Sequence, residues 1–110
     1  MLIATRILRL LGPVSTEDVA VRLYQPELED GGWICRYAIG WPDGTHHGFA
    51  GGVDAVQALN LALQRVGFAL HRSPHHAEGR LVWEKPGDGY GFPVPPSARD
   101  LLVGADRVFE

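Results

Sequence analysis

The chain has only one cysteine among its 110 residues, Cys35, so it cannot form an internal disulfide bond. A lone cysteine is typical of proteins that stay in the reducing cytoplasm. No apolar run approaches the roughly 20 residues needed to span a bilayer. The first residues lack the charged start and long apolar core of a signal peptide. These absences predict a cytoplasmic protein with no membrane association.

Clusters of basic residues are also missing. Ten Lys and Arg residues against thirteen Asp and Glu give a formal net charge of −3. A mildly acidic chain without a basic patch is a poor nucleic-acid binder, so nucleic acid is excluded from the expected partners. The chain has no low-complexity stretch and no internal repeat. Its length and its 45% apolar composition predict one globular domain over residues 1–110, with a core of about 2–93 and an extension over 94–110.

One long segment has a helical period, over residues 54–72. Asp54 stands before its first apolar turn and Gln57 three residues later, which is the spacing of a capping box. Ser73 and Pro74 end the helix. Small alanines beside the apolar positions would allow close approach to a sheet. The predicted core-facing residues, at steps of three and four, are Val56, Leu59, Leu63, Val66 and Leu70.

The rest of the chain favours strands and turns. Alternating apolar residues or flanking turn residues indicate strands over 2–11, 18–25, 33–41, 45–50 and 80–85. Phe49 is the expected core residue of the fourth strand. The order β-β-β-β-α-β predicts an α+β fold: an antiparallel sheet of four to five strands in spatial order 5-1-2-3-4, with one long helix on one face. Ser97 could cap a short C-terminal helix through Val103, followed by a tail.

The strand over 33–41 separates two faces of this sheet. Trp33, Cys35, Tyr37, Ile39 and Trp41 alternate with smaller or polar residues, so the bulky set should face the helix. The other face is left partly open unless the tail or a second subunit covers it. We therefore take Tyr24, Ile34 and Arg36 on that face as candidate binding residues.

Two motifs resemble those of a family of small uncharacterised bacterial proteins. Residues 33–39 give W-x-C-x-Y-x-I, and residues 52–59 give G-x-D-x-x-Q-A-L. Trp83 and the Gly-Phe-Pro of 91–93 are similar too, so the match covers roughly residues 2–93. The resemblance implies a bacterial origin and an α+β domain, and it carries no activity.

Five histidines raise the question of a metal site. Adjacent histidines on a strand point to opposite faces, so only one of His46 and His47 can serve a given site. No cysteine or carboxylate stands at metal-ligand spacing with them. We expect no native metal and no cofactor. The residues that would have to supply imidazole ligands are His46, His71, His75 and His76.

The other candidate reactive or binding residues each have a structural explanation. Cys35 lies mid-strand on the buried face, which indicates a packed thiol and not a nucleophile. Asp54 and Gln57 begin the helix beside glycines, but a phosphate site there would want a Lys and a hydroxyl, so capping is favoured. The acidic loop of Glu27, Glu29 and Asp30 could attract a basic partner or simply be solvated.

The glycine-rich segment 87–92 leaves two alternatives open. Tyr90 and Phe92 could be exposed binding anchors, or they could fold back over the helix end.

Two functional hypotheses follow from these features. The first is a non-enzymatic protein-interaction domain, a homodimer, that works through the open sheet face, an edge strand or the acidic loop. The second is a small-ligand binder or enzyme with a pocket between the helix C-terminus, the histidines and segment 87–92. No nucleophile–base–acid set is visible, so no catalytic residue is proposed and the first hypothesis is preferred.

Overall fold

A computed structural model describes residues 1–101 and 103. Six strands and two helices follow one another, and a 3₁₀ segment closes the described part of the chain. The strands are β1 (Leu2–Leu11), β2 (Thr16–Tyr24), β3 (Glu27–Glu29), β4 (Gly32–Trp41), β5 (Gly44–Gly52) and β6 (Leu81–Val82). The helices are α1 (Ala55–His71) and α2 (Pro74–Ala77), and the 3₁₀ segment is Pro96–Leu101.

All strand pairs in the sheet are antiparallel. The sheet runs β6-β1-β2-β4-β5, with β3 pairing with β4 on the same side as β2. This confirms the α+β fold with one long helix on one face, and it confirms the predicted spatial order. The last strand adds beside β1, because a strand that follows the helix can run antiparallel to β1 at that edge.

The predicted count of four to five strands was too low. The segment taken as an acidic loop forms β3, which pairs with the start of β4. Asp30 and Gly31 link the two strands, with φ of 49° and 81°. Positive φ at both central residues is what a tight two-residue hairpin turn requires, and Asp-Gly is a strong sequence signal for it. That signal identifies the missed strand.

The core lies between the sheet and the elements on its inner face. Cys35, Tyr37 and Ile39 of β4 are buried there, as predicted. The expectation for β5 was wrong: Phe49 is 56% exposed, and its neighbour Ala50 is 1% exposed. The register pairs Ala50 with Cys35 and Phe49 with Arg36, so Phe49 lies on the outer face of the sheet, away from the helix.

Helix α1 begins as predicted. The Asp54 side chain accepts a hydrogen bond from the Gln57 backbone N–H at 2.8 Å, and the Gln57 side-chain oxygen accepts one from the Val53 N–H at 2.7 Å. The predicted apolar stripe was partly wrong, because Val56 is 76% exposed. The fully buried residues instead follow one another at steps of four: Ala58, Ala62, Val66 and Leu70.

Small side chains bring α1 very close to β5. Gly48, Ala50 and Gly52 form the inner face of β5, and the ring of Tyr37 lies across Gly48. A Cβ atom on Gly52 would stand only 2.5 Å from the Ala58 backbone nitrogen. The helix therefore packs on β4 and β5 and leaves the inner face of β1 to another part of the chain.

The segment that follows β6 covers this second half of the inner face. Tyr90 and Phe92 join the main core cluster, and Trp83 packs against it. The Arg6 guanidinium of β1 lies 4.0 Å from the Trp83 ring centroid and 4.9 Å from that of Phe92. It also donates to the carbonyls of Tyr90 at 3.0 Å and Gly91 at 3.1 Å, which fastens the segment to β1.

Two shorter helical elements differ from expectation. The turn predicted after α1 contains α2, capped by Ser73, whose hydroxyl accepts from the His76 N–H and donates to the Leu70 carbonyl. The predicted helix from Ser97 to Val103 is instead a 3₁₀ segment over Pro96–Leu101, with non-helical geometry at Ala98. Residue 102 and the tail over 104–110 lie outside the described residues.

The close contact between α1 and β5 predicts a difference between two neighbouring glycines. Gly52→Ala should destabilise the fold by about 1–3 kcal/mol, because the new methyl group meets the helix backbone. Gly51→Ala is the matched control, since the nearest atom to its Cβ is 3.7 Å away. Urea unfolding of both variants measures the difference; equal stabilities would contradict the close packing.

The helix cap gives a second prediction. Asp54→Ala removes the acceptor for the Gln57 N–H and should lower the free energy of unfolding by about 0.5–2 kcal/mol. Asp54→Asn keeps an acceptor oxygen and should retain most of that stability. Thermal unfolding of the two variants beside the wild type tests this, and an unchanged melting temperature for Asp54→Ala would argue against the cap.

Candidate functional site

The outer face of the sheet holds the first set of predicted site residues. The register pairs Leu2 with Tyr24 and Arg36 with Phe49, and Tyr24 stands one position beyond the Leu23–Tyr37 pair. These side chains therefore form one row across β1, β2, β4 and β5. Ile34 lies in the next row, opposite Glu27 of β3. The structure thus brings Tyr24, Ile34 and Arg36 together on one surface, as the alternation predicted. We call this surface the open face.

Arg36 is held in a fixed orientation at the centre of the open face. Its guanidinium makes two hydrogen bonds to the Glu29 carboxylate, at 2.7 and 3.0 Å, and lies 3.6 Å from Glu27. The hydrogen bonds from Arg36 lower the pKa of Glu29, and the same contact raises the pKa of Arg36. The carboxylates of the acidic segment therefore bind Arg36 of β4, because the hairpin that forms β3 places them beside it.

Apolar side chains surround this ion pair. Leu2 is 46% exposed, and Ile34 is partly buried. With Phe49 they give the open face a mixture of exposed apolar groups and charged groups, since Arg22 lies two positions along β2 from Tyr24. A depression of about 280 Å³ lies beside Tyr24, Arg36 and His47. Such a mixture is typical of a protein-binding surface.

The second set of predicted site residues lies at the C-terminal end of α1, where the histidines meet Tyr90. His71 is 6% exposed, and its ring centroid is 4.9 Å from that of His76 and 5.1 Å from that of Tyr90. His76 Nδ1 is hydrogen-bonded to the Tyr90 hydroxyl. Burial lowers the pKa of His76. These three rings pack on one another, so they fill the space where the pocket of the second hypothesis was expected.

The other histidines lie apart from this group. His75 packs against Trp41, with ring centroids 5.0 Å apart, and His46 lies beside Tyr37 on the inner side of β5. Within residues 1–101 and 103, no three His, Cys, Asp or Glu side chains form a cluster able to hold a metal ion. A surface cavity of about 370 Å³ next to α2 is bordered by His75, Glu17, Asp43 and Arg80.

Tyr90 and Phe92 follow the second of their two alternatives. They are 3% and 7% exposed, so they fold back over the end of α1 as core residues. Arg6, which anchors this segment, was missed from the sequence. Its alternation with Leu8 and Leu10 was the signal in the sequence that Arg6 points to the inner face of β1.

Cys35 is a core thiol, as predicted. It is fully buried, its sulfur lies 3.4 Å from the Tyr24 carbonyl oxygen, and burial raises its pKa. A raised pKa disfavours the thiolate, so the geometry does not support a nucleophile.

A family model covers most of this fold. It matches residues 4–94 and describes a domain of unknown function, DUF6968. The chain belongs to this family. The resemblance to a family without an assigned activity is thereby confirmed, and the match includes the sheet, both helices and the segment that carries Tyr90 and Phe92. No curated protein and no solved structure matched the chain. None of the helices in the described part of this DUF6968 domain is long and apolar enough to cross a bilayer.

The burial of His76 predicts that the protein loses stability in mild acid. Burial holds the pKa of His76 below its ordinary value of 6.5, so the unfolded chain binds a proton that the folded protein does not. The free energy of unfolding should therefore fall as the pH drops below 6.5. Urea unfolding between about pH 7.5 and about pH 5.5 measures the loss.

His76→Phe should show a smaller pH-dependent loss than the wild type, since the titrating ring beside His71 and Tyr90 is gone. His47→Gln, which replaces an exposed histidine, is the control and should behave as the wild type does. The same loss in His76→Phe as in the wild type would exclude His76 as its source.

Proposed function

We propose that this DUF6968 domain is a non-enzymatic protein-interaction module of the bacterial cytoplasm and that it binds a protein partner through the open face. The observation that carries the proposal is the row formed by Leu2, Tyr24, Arg36 and Phe49. It runs across four strands, and no described element covers the exposed parts of Leu2 and Phe49. Apolar groups beside an ordered arginine are the kind of anchor that protein interfaces use.

The ordering of Arg36 supports a binding role. A guanidinium that is already fixed by Glu29 loses little conformational freedom when a partner covers it. The pair is exposed, so by itself it adds little to the stability of the fold. We therefore assign the arrangement to presenting a defined surface.

The chemistry of the face favours a protein over nucleic acid. The chain has a net charge of −3, and Arg36 is neutralised by its two glutamates. Phosphate backbones need an excess of positive charge, and this surface sets Arg22 and Arg36 beside Glu27 and Glu29.

Capture from cells of the source organism tests the proposal. The partner retained by the wild-type domain should bind about tenfold or more weakly to Leu2→Glu and to Arg36→Ala, because each removes an anchor from the row. Val14→Glu is the control, since Val14 is 96% exposed in the β1–β2 loop and lies off the face. Binding that is equal for all four proteins would contradict the open face as the binding surface.

A further inference from the structure

The outer edge of β5 has no strand partner along its whole length in the part of the chain that the structure describes. Among the described residues, β5 pairs with β4 and with no other strand. Its sequence, GTHHGFAGG, contains no Asp, Glu, Lys, Arg or Pro. The register with β4 runs from Trp33–Gly52 to Trp41–Gly44 without a bulge. Proteins usually protect long edge strands with charge, proline or a bulge, and β5 has none of these devices.

The hairpin determines which backbone groups point outward. Trp41 and Gly44 flank a two-residue turn, so they form a hydrogen-bonded pair of the ladder. Every second residue of β5 from Gly44 therefore bonds to β4. The N–H and C=O groups that point away from β4 belong to Thr45, His47, Phe49 and Gly51.

A flank of α1 that carries Leu61, Phe68 and the exposed Arg65 lies on the same side of the molecule. Leu63 borders a cavity with Ile3 of β1, and Gly67 lies against the Pro93 carbonyl, so that flank of the helix faces β1. Helical spacing places Leu61 and Phe68 on the opposite flank, toward the edge of β5. Phe68 is 40% exposed and Leu61 is partly buried.

We propose that a second copy of this chain occupies this edge, with the two β5 strands pairing antiparallel about a two-fold axis. The occupant must offer a strand edge and, above it, an apolar helix flank. This chain offers both at the required spacing, and a two-fold axis brings each feature against its own copy. The sheets then form one continuous sheet, and Leu61 and Phe68 of the two copies meet above it.

Asp54 and Arg72 fit antiparallel self-association, whereas the exposed Arg65 between Leu61 and Phe68 would lie near its own copy and would have to extend into solvent. Antiparallel helices place the Asp54 end of one copy near the Arg72 end of the other, which joins opposite charges and opposed helix dipoles. The β5 strand itself has no Asp, Glu, Lys or Arg that would repel its copy.

The two elements are also well matched in length. A nine-residue strand is roughly 30 Å long and a 17-residue helix roughly 25 Å, so both can contact their copies along most of the interface. The dimer leaves the open face uncovered in both copies. It therefore goes beyond the proposed function and does not depend on it.

Sedimentation equilibrium of the full chain tests the dimer. The wild type should show twice the monomer mass of 12.0 kDa at micromolar concentration. Phe68→Glu and His47→Pro should each weaken the dimer about tenfold or more, the first by burying a charge and the second by removing an outward N–H and inserting a ring. Val56→Glu is the matched control: Val56 is on the same helix, on the flank toward β1, and is 76% exposed, so the dimer should persist.

Amide hydrogen exchange provides an independent measurement. The outward amides of Thr45, His47, Phe49 and Gly51 should exchange slowly in the wild type and rapidly in Phe68→Glu, while circular dichroism shows that the variant remains folded. A wild-type monomer at high concentration overturns the proposal. Equal dimerisation of Phe68→Glu and Val56→Glu, or slow exchange of these amides in a monomer, overturns it as well.

Discussion

The close packing of α1 on β5 determines the rest of the architecture. Glycine and alanine on the inner face of β5 meet Ala58 and Ala62 of the helix, so the two backbones approach much more closely than larger side chains would allow. The helix is thereby drawn to one side of the sheet, over β4 and β5. The flank of α1 that carries Leu61 and Phe68 lies near the free edge of β5. The helix does not reach the inner face of β1, which segment 83–93 covers instead.

Segment 83–93 packs on the half of the inner sheet face that α1 does not cover, and this packing orders the segment without regular secondary structure. Trp83, Tyr90 and Phe92 supply the aromatic volume that a second helix would supply in a larger domain. The same packing accounts for the histidine end, because Tyr90 also contacts His71 and His76. Tyr90 and Phe92, for which the sequence left exposed anchors and folding back as alternatives, are therefore core residues here.

Much of the fold could be predicted from the sequence because local signals agree with it. The alternation from Trp33 to Trp41 gave the inner face of β4, and Asp54 with Gln57 gave the start of α1. The errors arose where tertiary packing favours small residues. Phe49 is the largest residue of β5, yet Ala50 faces the core because the helix needs the space. Val56 is exposed for the same reason, since alanines occupy the contact.

The candidate site was only partly predictable. Alternation placed Tyr24, Ile34 and Arg36 on one face, but the ion pair with Glu29 depends on the Asp30–Gly31 turn that forms β3. The alternation of Arg6 with Leu8 and Leu10 indicates that Arg6 faces inward, but it does not identify Tyr90 and Gly91 as its partners, because they lie more than 80 positions away. Contacts of this separation follow from the topology and not from any window of sequence.

That long-range contact has a consequence for how the core is closed. The strands β1 to β5 and the helix α1 lie within residues 2–71, but without the later segment the inner face of β1 exposes apolar surface. Tyr90 and Phe92, held in place by the Arg6 guanidinium, complete the core. The first strand is therefore fully enclosed only when segment 83–93 is in place, and a chain in which that segment is detached exposes apolar surface that favours aggregation.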